Sequence, residues 1–122
     1  MNKYRLLDAI LSLLLLISVP AAVTSAPADE TQKIEVLIQH VNDLQDATFI
    51  RNGSTYNSKS AATFLRRKWQ ANQSEVKTAR DFVDKVASIS GTSGKPYLIR
   101  FKDGKEVPSR EFLLAKLNSI ER

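Results

Sequence analysis

The stretch Thr78–Phe101, TARDFVDKVASISGTSGKPYLIRF, narrows the possible folds more than any other part of the chain. Thr78 stands three residues before Asp81, so its hydroxyl can accept an orphan amide of a first helical turn while the carboxylate meets the positive end of the helix dipole. Behind that cap Ala79, Phe82, Val83, Val86, Ala87 and Ser90 follow the i, i+3, i+4, i+7, i+8 spacing of one buried stripe, with Arg80, Asp81, Asp84 and Lys85 on the wet side. The spacing predicts a helix over 78–90 that Gly91 ends. Gly91 and Gly94 accept positive φ without a Cβ clash, Pro96 cannot continue a helix, and Tyr97–Phe101 reads as a strand. The unit is a capped helix, a Ser/Gly loop and a strand.

The rest of the chain is placed around it. Ile34, Leu37, Ile38, Val41 and Leu44 lie on one stripe of a helix expected over Glu30–Ala47, with Asp29 or Thr31 as its cap. Asn52-Gly53 between Thr48–Arg51 and Ser54–Tyr56 is a strong signal for a tight hairpin, because both central residues of a type I′ turn need positive φ. Ser58 or Ser60 then starts a helix to about Ala71 with Ala61, Ala62, Phe64, Leu65 and Trp69 inside, and a polar link, 72–75, folds the next helix back onto it. Asp103-Gly104 is a second turn dipeptide, after which Lys105–Val107 pairs back until Pro108 stops it. Ser109 caps a last helix with Leu113, Leu114, Leu117 and Ile120 as its stripe. The order is α-ββ-α-α-ββ-α, and the fold class is α+β: four helices on a small antiparallel sheet made from two hairpins.

The N-terminus bears on location. Lys3 and Arg5 precede an apolar run from Ala9 to Val19, too short to span a bilayer core of about 30 Å as a helix but right for the core of a signal peptide. Residues 1–28 are therefore expected to be a leader cut between 25 and 28, leaving 29–122 as one α+β domain in the periplasm with no stable membrane span. The full chain has 122 residues, no cysteine and a net charge of +5. Loss of Lys3, Arg5 and Asp8 with the leader removes two positive charges and one negative, leaving +4. That balance favours an anionic partner but falls short of the dense basic stripe of a nucleic-acid binder. Absence of cysteine excludes disulfides, zinc-thiolate and iron–sulfur sites and thiol nucleophiles.

No catalytic constellation stands out. Gly91-Thr92-Ser93-Gly94-Lys95 has some ingredients of a phosphate loop, yet a helix leads in, a strand leads out, and Pro96 occupies the Ser/Thr place, so a plain turn fits better than an anion-binding nest. Arg66-Arg67-Lys68-Trp69 offers cations and an indole, but at helical spacing they diverge; Lys68 follows Leu65 and Trp69 while Arg66 and Arg67 face solvent. His40, the single histidine, sits at the edge of its helical stripe and is better read as a packed boundary residue than as a base for Ser88, Ser90 or Ser93.

FIRNG at Phe49–Gly53, AATFLRRKW at Ala61–Trp69, TARDFVDKVAS at Thr78–Ser88 and SGKPYLIRF at Ser93–Phe101 resemble, in that order, the YfeK-like family of small exported bacterial proteins of unknown function. The resemblance covers nearly all of the chain after the leader. It implies a periplasmic location in a Gram-negative cell and brings no established activity, substrate or cofactor. Carried over by position, it singles out Arg51, Asn52 and Gly53; Leu65, Arg66 and Lys68; Thr78, Ala79 and Phe82; and Ser90, Ser93, Gly94, Lys95, Pro96 and Tyr97. Phe64 stands where the family pattern has a histidine before Leu-Arg, so no role resting on an imidazole there passes to this chain.

The expected ligand-binding set is Arg51, Asn52, Arg66, Lys68, Ser90, Ser93, Gly94, Lys95 and Tyr97, a basic, hydroxyl-rich edge for an anionic ligand or an envelope protein. No metal, cofactor, catalytic residue or nucleic-acid partner is expected, and the domain is expected to be a monomer. The leading expectation is a non-enzymatic binding or accessory protein of the envelope; a small hydrolase using a loop serine and a structural or chaperone-like part are the alternatives.

Overall fold

A computed structural model describes residues 28–122. The predicted leader and its cleavage point lie outside the described residues, apart from Ala28, which opens the first helix. Helix α1 (Ala28–Asn42) buries Ile34, Leu37, Ile38 and Val41. It is shorter than its periodicity suggested, and Leu44 packs against the core from the following turn. Asp29 and Thr31 do not cap it; both lie inside its first turn, where Asp29 and Glu30 face the positive helix end.

Strands β1 (Thr48–Arg51) and β2 (Ser54–Tyr56) form the first hairpin. Its corner has Asn52 at φ 52° and Gly53 at φ 79°, the left-handed pair that a type I′ turn demands. Helix α2 (Ser58–Ala71) follows, and its cap is Asn57, whose side chain accepts from the Ser60 amide at 2.8 Å. Neither serine caps it, because Ser58 is buried and donates its hydroxyl to the Leu44 carbonyl. Gln73–Glu75 makes a single 3-10 turn within the polar link.

Helix α3 is brief. Thr78 and Asp81 form the expected capping box, but the α-helical part covers only Ala79–Asp81 before it widens into a π-helical turn over Phe82–Val86. The Ala87 amide bonds the Phe82 carbonyl at 3.1 Å, and the Ser88 hydroxyl bonds the Val83 carbonyl at 2.5 Å. A wide turn lets Phe82, Val83, Val86 and Ala87 all point inward, and all four are fully buried. The chain leaves this helix at Ala87, not at Gly91, and Ile89 pairs with Pro96 across a small loop.

Strands β3 (Leu98–Arg100) and β4 (Glu106–Pro108) form the second hairpin, with Gly104 at φ 89° in its corner. Strand β4 includes Pro108 as its last residue, paired with Leu98 on the outer strand of the sheet, where a residue without an N–H is tolerated. The sheet order is β2-β1-β3-β4, antiparallel throughout. Helix α4 (Ser109–Ile120) begins without a side-chain cap; Ser109 is buried and gives its amide to the Tyr97 carbonyl at 2.8 Å.

Phe49 and Ile99 face the helices and are buried, while Ile50 and Leu98, paired on the opposite face, are half-exposed. The core joins the inner sides of α1, α2, the π turn and α4 to that sheet face. Trp69 meets Phe82 edge to face at 6.2 Å, which fixes α2 against the π turn as a helical pair.

Candidate functional site

The site lies at one end of the inner sheet face, where β1, the 88–97 loop and α2 converge. Arg51 shares the face of Phe49, and the β1–β3 register carried one place further sets it opposite Tyr97. Its guanidinium lies 4.6 Å from the centre of the Phe64 ring, and Nη1 donates to the Tyr56 hydroxyl at 3.4 Å. Phe64 in turn meets the Tyr97 ring edge to face at 5.9 Å. An arginine stacked on an aromatic face keeps its charge with little loss of hydration.

Lys68 reaches the same place from the next turn of α2. Its Nζ donates to the Tyr97 hydroxyl at 2.8 Å and to the Ile89 carbonyl at 2.9 Å. Burial pulls the ammonium below the ordinary lysine value, and the nearby Arg51 charge adds to the shift. Burial pushes the Tyr97 phenol above its ordinary value, with Arg51 opposing. Among the described residues neither Arg51 nor Lys68 pairs with a carboxylate, whereas Lys33, Arg66, Arg80, Arg100 and Arg110 all do.

Beside the cations is a hydroxyl and amide cluster. Asn52 Nδ2 donates to Ser90 Oγ at 3.1 Å, and the Ser93 hydroxyl donates to Asn52 Oδ1. Ser90, nearly fully buried, also accepts from the amides of Thr92 and Ser93 at 3.3 and 3.4 Å, and Ser93 Oγ accepts from the Lys95 amide at 3.2 Å. The loop's own hydroxyls therefore occupy the amides that an anion-binding nest would present. Gly94, at φ 71°, closes the turn, and its amide bonds the Ser90 carbonyl at 2.9 Å. The Lys95 side chain is exposed.

Eight of the nine expected residues thus belong to this end of the molecule: Arg51, Asn52, Lys68, Ser90, Ser93, Gly94, Lys95 and Tyr97. Arg66 does not. It lies toward α1, where Nη1 donates to both Glu35 carboxylate oxygens at 2.6 and 2.7 Å. Lys68 also departs from expectation, since its ammonium is held by two protein acceptors instead of reaching into water. Tyr56 and Phe64 complete the site and were legible only as strand and core residues; their pattern signal is that Tyr56 pairs with Phe49 on the face of Arg51.

His40 stacks flat on Phe112, ring centres 5.0 Å apart and planes 5° from parallel. Burial, and next the Lys116 charge, hold it below the usual histidine value, with Asp43 opposing. The imidazole and the serines have different partners: Ser88 is committed to the Val83 carbonyl, and Ser90 and Ser93 to Asn52. No group of three or more His, Asp or Glu placed to hold a metal occurs among the described residues, and no described helix is long and apolar enough to cross a membrane.

A small apolar cavity of about 30 Å³ opens beneath Arg51, lined by Tyr56, Ala61, Phe64, Leu65 and Tyr97. Among the described residues, a four-helix, four-stranded α+β domain with Arg51 lining an aromatic-walled cavity and Lys68 bonded to Tyr97 of its wall is the class that fold and site define. The chain belongs to the family of unknown function DUF5329, which it matches over residues 28–121. It is 37% identical over 83 residues, 68% of each chain, to a protein of Salmonella typhimurium named "Uncharacterized protein YfeK". No solved structure matches it.

Proposed function

We propose that the protein is a non-catalytic accessory protein of the bacterial envelope that binds an anionic ligand between Arg51 and Lys68. One observation carries this reading: Arg51 lies on Phe64 and Lys68 on Tyr97, two rings in contact with each other, and among the described residues no carboxylate pairs with either cation. Like charges so placed repel, and Lys68 is further disfavoured by burial. A bound anion removes both penalties, and it meets donors whose positions Phe64, Tyr56 and Tyr97 have already set. On this reading Asn52, Ser90 and Ser93 hold the loop against the first hairpin, while Lys95 adds steering charge at the rim. The leader expected at the N-terminus supports an envelope location, which cell fractionation tests.

The binding experiment is a titration of the purified protein with sodium acetate and with inorganic phosphate, followed by amide chemical shifts. Saturable shifts at Gly53, Lys68 and Tyr97 that disappear in Arg51→Gln and Lys68→Met support the reading. Shifts absent from those amides with both anions, or unchanged in both variants, overturn it for simple anions.

A further inference from the structure

Arg51 lines the apolar cavity and Lys68 is bonded to Tyr97 of its wall, so a ligand that uses only the cations or only the cavity leaves the other idle. Arg51 has five N–H donors and spends one, at 3.4 Å, on Tyr56. Lys68 has three and spends two. The remaining donors suit a flat two-oxygen acceptor, for which a guanidinium fork is the natural partner. The space under Arg51 is bounded by side chains with almost no polar surface, and its 30 Å³ compares with the roughly 10–15 Å³ that one water requires. A cavity that is apolar and this small accepts a methyl-sized group, and anything much larger must push Phe64 away from Tyr97, whose rings are in edge-to-face contact.

We propose that the anion is the α-carboxylate of a peptide chain end whose last side chain is alanine-sized: the carboxylate lies between Arg51 and Lys68, and the methyl enters the cavity walled by Phe64, Tyr97 and Ala61. This rests on the anion-binding reading and names its ligand class. A carboxylate and a methyl on one carbon match the adjacency of the two subsites; phosphate has no methyl, and the methyl of acetate is one bond closer to its carboxylate. The mild positive charge of the chain favours approach of the anionic end.

The test is calorimetry and chemical-shift titration of the purified protein with acetyl-Ala-Ala, its C-terminal amide, acetyl-Ala-Phe and acetate. The free-acid alanine dipeptide is expected to bind at least about tenfold more tightly than the amide, because removing one partner leaves desolvated donors unmatched. It is also expected to bind more tightly than acetyl-Ala-Phe and acetate. Dipeptides ending in L- and D-alanine separate a ribosomal chain end from a peptide finished with a D-residue; tight binding of either supports the proposal. Ala61→Val, which fills the cavity and spares both cations, is expected to abolish the preference for the dipeptide over acetate while acetate still binds. Equal binding of acid and amide, no gain of the dipeptide over acetate, or a preference untouched in Ala61→Val overturns the proposal. Acetate binding without that gain leaves the anion site standing; loss of every anion and every dipeptide removes both.

Discussion

The Lys68 ammonium donates to the Tyr97 hydroxyl at 2.8 Å, joining two groups whose ionisation burial displaces in opposite directions. Lys68 titrates below its ordinary 10.5 in the folded chain, so between the lowered value and 10.5 the unfolded chain holds more protons. Stability attributable to Lys68 therefore rises with pH through that window. Tyr97 titrates above its ordinary 10.0, so its contribution is complete below pH 10 and is lost as pH rises through the raised value. Melting curves of wild type and Lys68→Met compared from pH 8 to 10.5 isolate the lysine. The difference is expected to move in favour of wild type as pH climbs, and a pH-independent difference contradicts the partial burial of the Lys68 ammonium.

Gly91 and Gly94 belong to one loop and have open space where a Cβ would sit, yet only Gly94 has a positive φ, of 71°. Any difference between their alanine variants is then backbone conformation alone. Gly94→Ala is expected to lose about 1–2 kcal/mol, the strain of a left-handed non-glycine residue. Gly91→Ala is expected to gain about 0.4–1 kcal/mol by restricting the unfolded chain. Urea unfolding of the two variants decides it, and equal losses at both positions contradict the loop conformation.

Thr78→Ala removes an acceptor from the Asp81 amide at 3.0 Å and is expected to lose about 1 kcal/mol in the same assay. Asp81 accepts in return from the amides of Lys77 and Thr78 at 2.9 and 3.3 Å, and the Lys77 bond is the main cause of a carboxyl value below the ordinary 3.8. The folded state thus gains from the ionised carboxylate above pH 3.8 and loses that gain as pH falls through the lowered value. Wild type is expected to lose its advantage over Asp81→Asn on acidification below about pH 4. An advantage unchanged down to pH 2 contradicts the reciprocal cap.

What was legible in the sequence was what neighbouring residues decide among themselves. Asn52-Gly53, Asp103-Gly104 and the Thr78–Asp81 box are local, and each is found where it was expected. The caps of α2 and α4 were misplaced because the contest was tertiary: the Leu44 carbonyl takes the Ser58 hydroxyl, and Ser109 turns inward beneath Tyr97. The π turn preserved the predicted buried stripe while shortening the helix, since widening the coil changes its length but not which side is apolar. The site followed the same rule. Asn52, Ser90 and Ser93 announce themselves as turn residues, but the meeting of Lys68 with Tyr97, 29 residues on, depends on how α2 crosses the sheet. Arg66 enters the expected set as a position shared with the family pattern, while its place two residues before Lys68 on a helix turns it away, toward Glu35 of α1.

That separation of Arg66 from Lys68 makes the sharpest test of the site. The Arg66 guanidinium already has both Glu35 oxygens at 2.6 and 2.7 Å, so it has little reason to leave for a ligand at the other side of α2. Its side chain is 39% exposed and that of Glu35 45%, which places the pair among surface ion pairs contributing less than about 1 kcal/mol. Arg66→Gln is accordingly expected to shift the urea midpoint only slightly and to leave the acetate titration as in wild type. Lys68→Met, two residues along the same helix, is expected to abolish that titration. The two variants remove one cation each and change the net charge equally, so non-specific attraction affects them alike, and only a site built at Lys68 and Arg51 separates them. Equal weakening by both variants would show that the acetate response follows overall charge and not the Arg51–Lys68 pair.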